Sequence, residues 1–139
     1  MNLAVLRVEG KSEALKGLLN VLRCKPDTEW QEGELKRRGG KHEKSGFTSL
    51  IVDAATSRDM VIAVRRFLKE CCAQTMSFPG QGLTAELSVG VTVGDSAQFV
   101  ASIDLTSDDL SMMSSLGLSL NFAAYPTSDE SNTASNDDA

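Results

Sequence analysis

Few side chains in this sequence could carry out chemistry. Its single histidine, His42, lies in a charged, glycine-bearing run: Lys36-Arg37-Arg38-Gly39-Gly40-Lys41-His42-Glu43-Lys44. General-base or nucleophilic catalysis needs a base held against a nucleophile. No serine stands in a Gly-x-Ser-x-Gly turn, so His42 reads as a solvated loop histidine. Asp108 and Asp109 are adjacent and Asp104 is close by. Paired carboxylates can do acid–base work, but this pair falls in the first turn of an expected helix, where the helix dipole accounts for it. Cys24, Cys71 and Cys72 are odd in number and lack Cys-x-x-Cys spacing. Only by enlisting His42 as well do they reach the four donors of a closed zinc site. They read as free thiols, with Cys71 or Cys72 on the buried face of a helix. Gly39-Gly40-Lys41 lacks the upstream glycine and the following Ser or Thr of a phosphate loop. The expectation is a protein without a catalytic centre, a metal or a cofactor.

Binding is the remaining class, and the charges suggest where. Residues 1–69 hold all 14 Lys and Arg and 9 of the 19 acids; residues 70–139 hold the other 10 acids and no Lys or Arg. If folding keeps the halves apart, Glu86, Asp95, Asp104, Asp108 and Asp109 form an acidic face suited to a basic protein partner. The alternative is an anion-binding loop of Lys36, Arg37, Arg38, Lys41, His42 and Lys44 that meets phosphates of a nucleic acid or phospholigand. Trp30 and Phe47 flank that loop, either as base-stacking rings or as core. The net charge of −5 and the few aromatics weigh against nucleic acid as the first reading.

The elements that must position these residues follow from periodicity. Leu3 to Val8 predicts a central strand, with Ala4, Leu6 and Val8 on one face. Leu15, Leu18, Leu19 and Leu22 recur at helical spacing after Ser12, and the helix should end near Cys24, before Pro26. Asp27 to Leu35 predicts an irregular strand, Lys36 to Gly46 a loop, and Phe47 to Ala54 a strand. Thr56 caps a second helix whose apolar stripe runs from Met60 to Cys72. Leu87 to Val93 and Phe99 to Leu105 both alternate cleanly around Gly94-Asp95-Ser96 and predict a hairpin. Thr106 caps a third helix, stopped by Gly117, and Leu118 to Tyr125 is a last strand. Residues 6–15 and 101–110 share a plan of strand, hydroxyl cap, acids and leucine helix. The fold expected is α+β: a mixed, mostly antiparallel sheet with two to three helices on one face, for which the repeat suggests a duplicated ferredoxin-like layout. Residues 1–126 form one domain. Residues 127–139 contain no large apolar side chain and read as a disordered acidic tail. No apolar run approaches the roughly 20 residues of a membrane helix, and no secretory signal is evident, so a cytoplasmic protein is expected.

Pro26-Asp27-Thr28-Glu29-Trp30-Gln31-Glu32-Gly33-Glu34 resembles the Pro-Thr-x-x-Trp-x-x-Gly-acid signature of the bacterial family catalogued as domain of unknown function 4279. Leu110, Leu116-Gly117-Leu118-Ser119-Leu120 and Phe122-Ala123-Ala124-Tyr125 resemble that family's closing helix and strand. The resemblance spans most of residues 3–126 and implies a small bacterial α+β protein. It supplies no catalytic residues. By analogy with other small bacterial families, it suggests an immunity-like inhibitor that binds a basic toxin.

Overall fold

Strand β1 (Asn2–Gly10) is the middle strand of a five-stranded sheet, as its two-faced alternation predicts. The computed structural model describes residues 1–22, 24–74 and 76–127. The order continues α1 (Ser12–Leu22), β2 (Thr28–Trp30), β3 (Ser45–Ala54), α2 (Ser57–Ala73), β4 (Thr84–Val93), α3 (Ser107–Leu116) and β5 (Leu118–Pro126). In space the strands run β2-β3-β1-β4-β5. All neighbours pair antiparallel except β4 and β5, which are parallel. The first four strands with α1 and α2 have the βαββαβ order of a ferredoxin-like unit. Helix α3 then carries the chain back to lay β5 alongside β4, as a parallel pair requires. The expected duplication reduces to this one added helix and strand.

One apolar cluster holds the layers together. Ala4, Leu6 and Val8 of β1 and Leu87, Val89 and Val91 of β4 meet Leu15 and Leu18 of α1, Met60, Val64 and Leu68 of α2, and Met113 and Leu116 of α3. The helices therefore share one face of the sheet. On the other face Arg7 and Glu9 of β1 face the same side as Glu86 and Ser88 of β4. Alternation in β3 breaks where β1 shifts register between Ala4 and Val5, so Leu50 opposes Val5 and Val52 opposes Ala4. Such a bulge places an extra residue between the two alternating sets, and both Ile51 and Val52 pack partly on the core.

The caps fall where hydroxyl residues precede the apolar stripes. Thr56 Oγ1 accepts a hydrogen bond from the Asp59 amide at 3.1 Å. Thr106 and Asp109 form a complete capping box. Gly117 ends α3 at φ 70°, and a Cβ there would lie 2.4 Å from Pro79.

The predicted hairpin does not form. The chain does turn at Gly94, whose amide donates to the Gln98 carbonyl. Residues 101–106 form no strand. Ala101, Ile103 and Leu105 are instead half-buried against the core, so their alternation reports a buried side without a ladder partner. Both edges of β4 are already taken, by β1 and β5. The repeat proposed for residues 101–110 loses its strand for the same reason. Helix α1 starts at Ser12 itself and ends at Leu22. The acidic tail lies outside the described residues from Ser128 onward.

The strand order keeps the two halves of the sequence side by side. Residues 1–69 supply β2-β3-β1, and β4 and β5 come from the rest. At about 4.8 Å per strand the outer edges stand about 19 Å apart. The basic loop joins β2 to β3 at one edge, and the acidic half occupies the other.

Candidate interaction surface

The basic loop is a braced projection. The amide of Lys36 donates to the Gly40 carbonyl at 2.8 Å, and Leu35 and Lys41 form an antiparallel bridge. Gly39 and Gly40 take φ values of 96° and 79°, a region that favours glycine. Lys36, Arg37, Arg38, Lys41 and Lys44 are exposed. At its base lies Trp30, whose Nε1 donates to the Lys44 carbonyl at 3.0 Å. Its ring stacks on His42 with centroids 4.9 Å apart, and the Arg7 guanidinium lies 4.7 Å from the ring centroid. Trp30 is only 6% exposed and Phe47 is buried. The two rings are therefore structural anchors and offer no open face to a base.

The five acids do not share one face. Asp109 is 1% exposed, and Arg65 grips it with two hydrogen bonds of 2.8 Å. Its carboxylate also accepts from the Thr106 amide at 2.9 Å. The Arg65 hydrogen bonds lead in holding its carboxyl down to about 2, against the opposing effect of burial. Asp109 is thus an internal tie between α2 and α3, which removes it from the expected acidic surface. Glu86 points to the sheet face away from the helices, half-buried, opposite Arg7. Asp95 is half-buried and its carboxylate accepts the Gln98 amide. Asp104 and Asp108 stay exposed, on the segment leading into α3 and on its first turn.

Strand β5 carries a feature that sequence reasoning missed. Strand β5 pairs only with β4, and its outer edge makes no backbone hydrogen bond among the described residues. Its nine residues, Leu-Ser-Leu-Asn-Phe-Ala-Ala-Tyr-Pro, carry no charge. Leu120, Phe122 and Tyr125 are exposed along it, Phe122 to 47%. In the segment before α3, Phe99 and Val100 are each 76% exposed, and Leu110 protrudes from α3. Edge strands are usually blunted by charge, proline or brevity; of these only Pro126 is present, at the very end. The missing charge was legible in the sequence, but the edge position was not.

An open groove of about 470 Å³ runs between the end of α1, β3 and α2. Two of its polar side chains are engaged: Ser49 Oγ donates to the Lys25 carbonyl at 2.9 Å, and the Asp27 carboxylate accepts the Leu50 amide. Burial pushes the Cys24 thiol up, partly offset by a hydrogen bond with Ser49. Burial also pushes Cys71 up to about 12, with nearby Cys72, Cys24 and Glu70 adding to the rise. Thiolate is the reactive form. Alkylation of native protein at pH 8, read by peptide mapping, is therefore expected to label Cys71 at least tenfold more slowly than in urea. Equal rates in both states would contradict its burial. Among the described residues no group of three or more His, Cys, Asp or Glu side chains could hold a metal ion. No described helix is long and apolar enough to cross a membrane.

The chain is thus an α+β protein built on a ferredoxin-like unit with one additional helix and strand. Comparison with protein-family models, with curated proteins and with solved structures finds no match.

Proposed function

We propose that this chain is a non-catalytic protein-binding module whose second half docks a basic partner protein. The observation that carries this reading is the make-up of that half's surface. Residues 76–127 expose Phe99, Val100, Leu110, Leu120, Phe122 and Tyr125 together with Asp104 and Asp108, and contain no Lys or Arg. Exposed apolar side chains and exposed acids supply the two parts of a selective contact: burial gives affinity, and charge steers encounter and rejects like-charged partners. A basic toxin held by an immunity-like inhibitor would be such a partner, in keeping with the resemblance of the Pro26–Glu34 stretch and the closing helix and strand to that bacterial family.

The test is kinetic. With the partner retrieved from native lysate, association rates are compared for the wild type and the Asp104→Lys/Asp108→Lys variant. About tenfold slower association at low salt, converging with the wild type at high salt, is expected. Rates that do not differ at low salt would reject the reading.

The braced basic loop supports a second reading, a phospholigand site formed by Lys36, Arg38 and Lys41 with its neighbouring cations. Its turn is held by backbone bonds, so these cations are presented together at little further ordering cost. With Trp30 covered, such a site would bind by charge alone, and a labelled oligonucleotide titrated at low salt tests it.

A further inference from the structure

We infer that the sheet face without helices is where two copies of this chain meet. All three helices pack on the opposite face. On the open side Val5 of β1 lies beside Leu50 of β3, and Leu3 lies beside Gly90 of β4, which lies beside Ala123 of β5. Leu50 is 48% exposed and Tyr125, on the same face, 52%. A Cβ on Gly90 would lie 3.4 Å from Cε2 of Tyr125, so that ring leans in over the glycine. The solvated face of an antiparallel sheet ordinarily carries polar side chains, and a contiguous apolar patch marks a contact site. Of the exposed β5 side chains in the protein-binding reading, Tyr125 stands here and Leu120 and Phe122 on the other face, so this contact goes beyond that reading.

The register of β1 and β4 makes this face complementary to itself. Leu3 is paired with Gly90, and Arg7 with Glu86. A two-fold axis running along the strands, between β1 and β4, lays each of these strands over the other one in the second copy. Leu3 then meets the Tyr125 ring over Gly90 of the second copy, and Arg7 meets its Glu86, each contact occurring twice. The Arg7 side chain is 45% exposed and bonds Glu9 at 2.9 Å, whereas Glu86 forms no ion pair among the described residues. Arg7 of the second copy supplies that pair. The same axis keeps the apolar ends of the two faces together and the charged ends together. An axis across the strands would set Arg7 and Glu86 over Leu3, which the cost of burying unpaired charge opposes.

Shape and size point the same way. Two copies have the same twist, which lets their sheets stack about 10 Å apart with side chains interdigitated. The long strands β1, β3, β4 and β5 have 9, 10, 10 and 9 residues. At about 4.8 Å per strand and about 3.3 Å per residue they span about 600 Å² in projection. Side chains standing up from that plane raise the area toward the about 800 Å² that each partner of a stable interface buries. A foreign protein would have to supply both the matching twist and the reversed Arg7–Glu86 pairing independently; a second copy has both already.

Sedimentation velocity of the full chain, from micromolar to millimolar concentration, provides the test. A concentration-dependent dimer is expected for the wild type. In a dimer of Arg7→Glu alone, or of Glu86→Arg alone, like charges face each other at both contacts, and each variant should associate about tenfold more weakly or less. An equal mixture of the two variants restores opposite charges at both contacts and should associate about as tightly as the wild type. Leu50→Lys, at an exposed position, should weaken the dimer without touching either charge, and thermal melts of dilute protein show that each variant keeps its fold. A wild type that stays monomeric at millimolar concentration would overturn the inference and leave the face to a different protein. A dimer indifferent to all three substitutions would overturn it in favour of another surface, such as the β5 edge. A mixture that associates no better than its two components would overturn the two-fold pairing of Arg7 with Glu86, and the inference with it.

Discussion

Replacing Gly46 by alanine is expected to cost about 3 kcal/mol or more and to uncover the only tryptophan. A Cβ at Gly46 would lie 2.5 Å from Cζ2 of Trp30 and 2.6 Å from the Val8 carbonyl oxygen. The oxygen cannot yield easily, because Val8 and its neighbour Glu9 pair with Phe47 and Gly46 in the β1–β3 ladder. The ring cannot yield without losing its contacts with His42 and Arg7 and the hydrogen bond from Nε1 to Lys44. Overpacking of this kind typically costs about 1–3 kcal/mol, and here a backbone atom is hit as well as a side chain. Urea unfolding followed by Trp30 emission provides both readouts. The midpoint should fall, and the native spectrum should shift toward that of a solvated indole. The basic loop would be freed at its base, so any affinity of that loop for anions should change with it. A midpoint within error of the wild type would mean that Trp30 does not pack over Gly46.

The second large effect centres on Asp109. Changing Asp109 to alanine removes the bidentate pair with Arg65 and half of the capping box at once. A cap is worth about 1 kcal/mol and a charge-assisted hydrogen bond about 1.5–3 kcal/mol. Arg65 is a third exposed and can turn to water in the variant, which limits the loss. A net cost of about 2–3 kcal/mol is expected at neutral pH. The pH dependence supplies the sharper check. The native carboxyl titrates at about 2, below its ordinary value of 3.8. A group with a depressed native pKa contributes stability that is complete above its unfolded value and is lost as the pH falls through the native one. The gap between wild type and Asp109→Ala should therefore hold above about pH 5 and close between about pH 4 and 2. A gap that stayed constant down to pH 2 would show that Asp109 acts by shape alone.

Some of this protein was legible in its residues. Helices α2 and α3 were visible down to their caps, because Thr56, Thr106, Asp109 and Gly117 satisfy or end backbone hydrogen bonds locally. The two-faced alternation of Leu3 to Val8 marked β1 as central, because a strand flanked on both edges must bury one face fully. Segment 99–105 shows the limit. Alternation records which side of a chain is buried, and a buried extended segment reads the same with or without a ladder partner. The acidic face failed at Asp109 for a related reason: a carboxylate in a first turn looks alike whether it meets water or an arginine from another helix, and only the packing of α2 on α3 decides.

The sequence by itself determined the periodicities, the caps and the division of charge, all of which depend on near neighbours along the chain. Tertiary structure alone decided that β4 and β5 lie together at one side of the sheet, while α2 carries cations of the first half onto α3, where Arg65 pairs with Asp109. It also decided that an uncharged run, unremarkable in the sequence, becomes an open edge. Strand order arises from contacts between residues far apart in sequence, such as Leu87 with Leu6 on one side and with Leu120 on the other. Which of the compatible pairings wins depends on the packing of the whole core, and no local pattern encodes that choice.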